Sequence, residues 1–231
     1  MVQDWLAASQ LTPEYQLLWR GQLTKQDAAV LLERGFSADA CTADAVLQLE
    51  ELGFMREDVF YSALEKSEEA LRLALGKCRL IANSLEELRH IHSIVQQYPS
   101  ASRLESVGLR LIPEAYDDGK QPGIPVAHLP AIAREIKQFP AISIRGCFVT
   151  GNLTGLHGQA LGRFYRACYE TAKLMTVTLP CAMPYICMEN CIEAMIRNRK
   201  THPETLAELQ RTASIVASQN STAFYARLLI S

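Results

Sequence analysis

Short apolar runs alternate with amphipathic stretches along this chain, and the two kinds of segment predict two kinds of element. The runs that favour β-strands cover residues 15–19, 38–41, 58–62, 78–82, 107–112, 142–149, 185–188 and 223–230. Several of these runs are almost continuously apolar, which is typical of strands covered on both faces. The stretches between them, such as TKQDAAVLLERGF, have the periodicity of helices. We expect Thr42, Ser67 and Ser84 to cap the first turns of three of these helices.

Eight strands separated by helices predict a parallel α/β fold. Gly35, Gly53 and Gly76 fall where helices should end, and the Pro- and Gly-rich stretch 113–125 is the main predicted loop. Eight such units in this length favour a (β/α)8 barrel, with residues 1–14 as an N-terminal extension and 15–231 as the barrel domain. A doubly wound open sheet is the alternative, although no GxGxxG motif follows the first strand.

Composition narrows the class of protein without identifying an activity. The 231 residues are 48% hydrophobic and 21% charged, with a formal net charge of −2, as expected for a globular protein. No basic cluster with interleaved aromatics indicates a nucleic-acid partner, and no apolar run is long enough to span a membrane. The seven cysteines form no CxxC pair and the first residues carry no basic leader, so we expect reduced thiols in a cytoplasmic protein.

Several segments match, in order, those of one enzyme family. They are GFSADACTADAVLQLEELGF, DVFYSALEKSEEALRLAL, CRLIANSLEELRHI, VGLRLIPEA and ISIRGCFV. Together they resemble the fold-type III pyridoxal-phosphate (PLP) decarboxylases of ornithine, diaminopimelate and arginine and, more distantly, alanine racemase. The resemblance covers roughly residues 15–231. It implies a TIM-like (β/α)8 barrel of the alanine racemase and ornithine decarboxylase type, here without the β-domain that flanks it in those enzymes.

The resemblance also assigns three positions of the family's site. Arg20 occupies the place of the lysine that forms an imine with PLP, and a guanidinium is not a usable nucleophile. Asp39 matches the aspartate of a G-F-x-D-x-x-S segment, 19 residues after Arg20 as in the family's layout. The segment VGLRLIP looks like the family's R-x-N-P strand, which places Arg110 at the family's arginine.

Four further departures remove other contacts that the resemblance implies for PLP. Ala45 replaces a glutamate that follows the aspartate by six residues, and Thr150 replaces a histidine that stacks on the pyridine ring. The stretch 189–191 replaces a glycine triplet that wraps the phosphate, and its glutamate would repel a dianion. The sequence ends at Ser231, where the family continues into an E-P-G-R segment whose glutamate pairs with the pyridine nitrogen.

The candidate site therefore combines positions inherited from the family with their replacements. The candidate pocket residues are Arg20, Asp39, Arg110, Thr150, Glu189 and Asn190. We expect Arg20 to fill the space of the lysine and to extend toward Asp39 as an ion pair. Asp39 and Arg110 either bind a small zwitterion or anion, or satisfy each other or nearby backbone in a vestigial site. Lys66 is expected to be a solvated surface charge, and no residue is assigned as catalytic or as a metal ligand.

Three hypotheses follow for function. The favoured one is a catalytically inactive homologue of the PLP decarboxylases, with no bound PLP, acting through a small amino-acid-like ligand or as a homodimer or heterodimer with an active paralogue. The second is a divergent PLP amino-acid decarboxylase, a carbon–carbon lyase, completed by a partner chain or by an unlocated lysine. The third is a barrel recruited to cofactor-independent chemistry, with Glu189 as acid or base. Neither nucleic acid nor membrane is expected as a partner.

Overall fold

Eight strands form the framework of the chain. The computed structural model describes residues 15–98, 104–156, 159–179, 185–189, 211 and 225–230. The strands, numbered along the chain, are β1 Tyr15–Arg20, β2 Ser37–Ala40, β3 Val59–Tyr61, β4 Arg79–Ala82, β5 Glu105–Ile112, β6 Ile142–Val149, β7 Tyr185–Met188 and β8 Tyr225–Ile230. All eight overlap the predicted runs. A further two-residue strand, Ile124–Pro125, pairs with β5 within the predicted loop.

The strands close into a ring, and every pairing in it is parallel. Each of β1 to β7 pairs with the next strand in sequence, and β8 returns to β1. The pairing of β8 with β1 is what separates a closed barrel from the open doubly wound sheet. The predicted (β/α) barrel is therefore confirmed. The predicted bounds of the barrel domain and the extension 1–14 lie partly or wholly outside the described residues and remain predictions.

Helices connect the strands, and their ends carry the predicted signals. The helices are α1 Lys25–Glu33, α2 Ala43–Glu51, α3 Glu68–Ala74, α4 Leu85–Gln97, α5 Leu129–Glu135 and α6 Gln159–Thr178. Short 3-10 helices lie at Arg56–Asp58, Glu114–Tyr116, Val126–His128 and Ile136–Gln138. The hydroxyls of Thr42, Ser67 and Ser84 each accept the backbone N–H three residues onward, which satisfies an otherwise unpaired donor.

The apolar residues form two layers because side chains along a strand alternate between its faces. One large cluster lies between strands and helices, and includes Trp19, Val59 and Ile186. A second cluster comprises the buried residues Leu18, Phe60, Ile81, Phe148, Tyr185 and Cys187. Each of its members neighbours a residue of the larger cluster along its strand, so we place it on the opposite face, inside the barrel.

A bulge resets the alternation where β5 meets β6. Val107 pairs with Ile144, but the next residue, Gly108, pairs with Gly146, so Arg145 has no counterpart. Ile144 before the bulge and Cys147 after it both belong to the outer cluster. A regular strand would have placed these two residues on opposite faces.

Tyr185 occupies interior space that two glycines leave open. A Cβ on Gly146 would lie 2.4 Å from the Cζ atom of the Tyr185 ring, and one on Gly108 would lie 2.4 Å from its hydroxyl oxygen. The ring also packs edge-on against Phe60, with centroids 4.9 Å apart. Glycine is therefore required at both positions by packing against the tyrosine.

Two further properties of the structure concern its helices and its cysteines. Among the described residues, no helix has both the length and the apolar character needed to cross a membrane. Five cysteines fall in the described ranges and all are free: Cys41 is exposed, while Cys78, Cys147, Cys168 and Cys187 are buried.

We expect Gly146→Ala to destabilise the fold by about 1–3 kcal/mol, because the added methyl group would collide with the buried ring of Tyr185. Urea unfolding gives the free energy of unfolding of each variant. In a Tyr185→Leu background the same glycine change should cost less than about 1 kcal/mol, so a double-mutant cycle isolates the collision. Equal costs in both backgrounds would refute the packing argument.

Candidate functional site

An arginine and an aspartate face each other at the ends of the first two strands. Arg20 is the last residue of β1 and Asp39 lies in β2, and the two are partners in the strand register. The Arg20 Nε donates to Asp39 Oδ2 over 2.6 Å. Arg20 lies two residues after the interior residue Leu18, so both side chains point to the inside of the barrel. The predicted ion pair is present, at the carboxyl ends of the strands where barrel sites form.

Arg20 also pairs with a second carboxylate, that of Glu189. The Arg20 Nη2 donates to Ser62 Oγ and to Glu189 Oε1, both over 3.1 Å. Ser62 in turn donates its hydroxyl to Asp39 Oδ2 over 2.8 Å. Glu189 directly follows β7, two residues after the interior residue Cys187, so its side chain faces the same space.

Arg110 links Glu189 to the opposite side of the barrel. Its Nε donates to Glu189 Oε2 over 2.8 Å and its Nη2 to Glu189 Oε1 over 3.0 Å, a two-pronged pair. Nη1 donates to Asn83 Oδ1 over 2.7 Å, and Nη2 also donates to the Ser62 carbonyl over 2.9 Å. Arg110, 2% exposed, is the largest fully buried side chain among the described residues. We call the residues Arg20, Asp39, Ser62, Asn83, Arg110 and Glu189 the mouth network.

A buried lysine extends this network, and its prediction as a surface charge is wrong. The Lys66 Nζ is 0% exposed and donates to Glu87 Oε1 over 2.6 Å, and to the carbonyls of Ala63 and Ile81 over 2.7 Å each. Glu87 also accepts the backbone N–H of Asn83 over 2.6 Å. The sequence-based prediction rested on the usual exposure of lysine side chains. In the structure, the buried carbonyls of Ala63 and Ile81 accept hydrogen bonds from this one.

Burial and pairing act on the titratable groups in different ways. Burial raises the pKa of Asp39 from its ordinary 3.8 to about 6, against the opposing effects of Arg20 and Ser62. Burial also opposes the charge on Arg20, but the carboxylates of Asp39 and Glu189 outweigh it and raise the pKa of the guanidinium. Burial lowers the pKa of Lys66, while Glu87 counteracts the shift. Arg20 is thus permanently protonated, whereas burial brings the pKa of Asp39 closer to neutral pH.

The structure brings four of the six candidate pocket residues together: Arg20, Asp39, Arg110 and Glu189. Asp39 and Arg110 do not satisfy each other. Asp39 pairs with Arg20 as predicted, while Arg110 pairs with Glu189 and also donates to the backbone carbonyl of Ser62. Thr150 is buried at the end of β6, where its N–H donates to the Leu111 carbonyl. Asn190 lies outside the described residues. In the described ranges, no group of three or more His, Cys, Asp or Glu side chains is arranged to hold a metal ion.

Sequence reasoning missed two members of the network, Ser62 and Asn83. A usable signal existed for Ser62, because it follows the interior residue Phe60 by two positions, as Arg20 follows Leu18 and Glu189 follows Cys187. Asn83 directly follows β4, and no sequence pattern indicated its contact with Arg110, 27 residues away.

The residues at the barrel mouth do not fit covalent attachment of PLP. Attachment requires a lysine amine that can lose its proton. The group at the end of β1 is a guanidinium held by two carboxylates and a hydroxyl. Lys66 is the lysine buried beside the network, and its three acceptors match the three N–H groups of an ammonium.

Comparison with known proteins supports the fold. The sequence matches no family model and no curated protein. Solved structures match over 99% of the chain: AQ1208 from Aquifex aeolicus at a TM-score of 0.74 and 12% identity, and the Paramecium bursaria Chlorella virus arginine decarboxylase bound to agmatine at 0.74 and 11%. PipY from Synechococcus elongatus, solved without PLP, matches at 0.66 and 16% identity. Diaminopimelate and ornithine decarboxylases also match.

The extent of these matches differs between the proteins. The chain spans 55% of AQ1208 and 60% of the viral decarboxylase, but 98% of PipY. At 11–16% identity the likeness shows a shared barrel fold, of the kind found in PLP decarboxylases and PipY. It carries no activity, ligand or partner over to this chain.

Asp39→Asn should remove a specific component of the pH dependence of stability. In the folded protein Asp39 keeps its proton up to about pH 6, whereas the unfolded chain loses it near the ordinary 3.8. Its contribution is therefore fully present below about pH 4, falls as the pH rises through about 6, and is constant above that. Denaturant unfolding of both proteins from pH 4 to 8 gives the difference in free energy of unfolding. A difference that is flat or rises with pH would contradict a raised pKa.

Lys66→Met should destabilise the protein by about 3 kcal/mol, because it removes the cationic partner of Glu87 and the lysine donor to the carbonyls of Ala63 and Ile81 in a buried place. Lys77→Met is the matched control: Lys77 pairs with Glu50 on the surface, where both side chains are at least one third exposed. That change should stay within about 0.5 kcal/mol. Similar losses for both variants, measured by urea unfolding, would show that the buried lysine has no special role.

Proposed function

We propose that this chain is a non-catalytic binding protein built on the barrel of the PLP decarboxylases. The observation that supports it is the state of Arg20: at the strand end where the resemblance implies an imine-forming lysine, a permanently charged group is held by Asp39, Ser62 and Glu189. Such a group neither attacks a carbonyl nor exchanges a proton near neutral pH. The position therefore serves structure and recognition.

The charges of the mouth network support the same proposal. Two arginines and two carboxylates, Arg20, Arg110, Asp39 and Glu189, give a formal charge of zero and make four hydrogen bonds with one another. A phosphate dianion at this mouth would have to compete with the buried carboxylate of Glu189 for both arginines. Displacement of Glu189 would leave its carboxylate without either guanidinium partner in a buried place.

Two further elements of the proposal concern where and with what the chain acts. The family resemblance implies dimers, so association with a second copy or with an active paralogue is part of the proposed role, in the cytoplasm. A small amino-acid-like ligand is the proposed small-molecule partner. The alternative of a working decarboxylase requires a lysine imine, and the test below distinguishes the two directly.

Incubation with PLP followed by borohydride reduction should give no stoichiometric label at a single lysine. Peptide mapping by mass spectrometry should find, at most, partial labelling of exposed lysines such as Lys25, and none at Lys66. The same treatment in urea should label Lys66, because unfolding frees its amine, and this control confirms that the peptide is detected. Complete labelling of one lysine in the folded protein, together with release of CO₂ from lysine, ornithine, arginine or diaminopimelate, would overturn the proposal.

A further inference from the structure

One arginine at the end of the barrel opposite the mouth network has no counter-charge. Four described arginines are buried or partly buried: Arg20, Arg56, Arg79 and Arg110. Arg20 and Arg110 pair with carboxylates of the mouth network, and Arg56 pairs with Glu105 over 2.9 Å. Arg79, the first residue of β4, makes no ion pair or side-chain hydrogen bond with any described residue. A partly buried cation without an anionic partner is costly.

Two aromatic rings hold Arg79 on the inner face of the barrel. Its Cζ lies 5.5 Å from the ring centroid of Phe60 and 5.1 Å from that of Tyr185. Arg79 precedes the interior residue Ile81 by two positions and is in register with Phe60, so its side chain faces inward. The rings attract the positive charge, but they do not take up the in-plane N–H donors as a carboxylate does. These donors are available to a group that enters from the N-terminal opening of the barrel.

The bulge in β6 adds a second arginine to the same opening. Ile144 belongs to the outer cluster, whereas Gly146 lies against Tyr185 in the interior. Because side chains alternate, Arg145 faces inward after Ile144, and the extra residue of the bulge lets Gly146 face inward as well. Arg145 is exposed and makes no ion pair with any described residue. An exposed side chain on the inner face lies at the open end of the barrel.

Two serines lie between the arginines. Arg79 and Ser106 directly precede the register partners Leu80 and Val107, and Ser106 is itself the register partner of Ser143 in β6. Both serines are partly buried, and their hydroxyls make no hydrogen bond with any described residue. Strands β4 and β6 are two strand spacings apart, roughly 10 Å. Two arginine side chains can bridge that gap through one bound group.

The charges at this opening favour an anion. Asp58, which directly precedes β3, accepts the hydroxyl of Ser37 over 3.4 Å and forms no ion pair with Arg79 or Arg145. Two cations and this one carboxylate leave an excess of one positive charge, whereas the charges of the mouth network cancel. Two guanidinium forks and two hydroxyls suit an anion that has oxygens on several sides, which is the geometry of phosphate.

We propose that the N-terminal opening of the barrel binds a phosphate dianion, either free or as the end group of a small ester. Arg79 and Arg145 each donate N–H groups to its oxygens, and the hydroxyls of Ser106 and Ser143 donate from between them. The site uses no residue of the mouth network and lies at the other end of the strands. It is therefore independent of the proposed function.

Modification with phenylglyoxal, which reacts with guanidinium groups, locates the site without a substitution. Peptide mapping by mass spectrometry gives the rate at each arginine, with the ionic strength held constant by NaCl. We expect inorganic phosphate to slow the modification of Arg145 in a saturable way. The rate at Arg134, an exposed arginine on α5, should not change. Tighter protection by glycerol 3-phosphate would identify an ester as the ligand, and equal protection would identify the free dianion.

Variants test the two arginines, with affinity for inorganic phosphate measured by titration calorimetry in the same buffer. Arg145→Gln and Arg79→Gln should each weaken binding about tenfold or more, because each removes a charge-assisted contact. Arg134→Gln removes the same charge elsewhere on the surface and should leave the affinity unchanged. Arg79→Lys keeps the charge against the rings but loses the fork, so it should still weaken binding and serves as the test if Arg79→Gln does not fold.

The possible outcomes are distinct. Protection of Arg145 but not of Arg134, together with weaker binding in the variants of Arg79 and Arg145, supports the site. Absence of both protection and heat with inorganic phosphate overturns it. Equal weakening by Arg134→Gln and Arg145→Gln also overturns it, because binding would then follow net charge alone. None of these results changes the outcome of PLP labelling, so failure of this site and failure of the proposed function are distinguishable.

Discussion

A guanidinium group keeps its proton at every pH at which this protein is folded, and that constraint organises the barrel mouth. Placed at the end of β1, Arg20 needs anionic partners, which Asp39 and Glu189 supply. Glu189 is at the same time the partner of Arg110, which is buried deeper and cannot reach solvent. Each charge is therefore paired with at least one other. Removal of Arg20 would leave Asp39 without its ion-pair partner, and removal of Glu189 would leave Arg110 without its partner.

The network depends on the regular alternation beneath it. Leu18, Phe60 and Cys187 fill the barrel interior, and the polar residues Arg20, Ser62 and Glu189 follow each of them by two positions. The apolar layer excludes water from below, which strengthens the contacts above it and raises the cost of leaving them incomplete. An apolar interior closed by a hydrogen-bonded polar layer thus follows from strand periodicity together with the residue that stands at each strand end.

Most of the fold was predictable because its signals are local. Apolar runs located all eight strands, and the caps Thr42, Ser67 and Ser84 form the predicted contacts within three residues of their own positions. The barrel was favoured by counting units, and the pairing of β8 with β1 confirms it. The ion pair of Arg20 with Asp39 was also within reach, since neighbouring parallel strands place their ends side by side.

The long-range part of the site was not predictable in the same way. Arg110 and Glu189 are 79 residues apart, and nothing in either segment specifies the other. The prediction that Lys66 is a surface charge was wrong for a related reason. Its Nζ donates to the carbonyls of Ala63 and Ile81, and a sequence does not show which backbone carbonyls a side chain will reach. Lysine side chains are usually exposed, and this expectation fails where buried carbonyl and carboxylate groups bind the ammonium group.

The geometry of Arg20 connects the loss of one chemistry with a structural role. A lysine at this place would present a single nitrogen, whereas the guanidinium has three, of which Nε and Nη2 are used by Asp39, Ser62 and Glu189. These three partners come from β2, from the residue that follows β3 and from the residue that follows β7. In the proposed binding protein, the substitution that prevents imine formation thereby joins four strand ends of the barrel through one planar group.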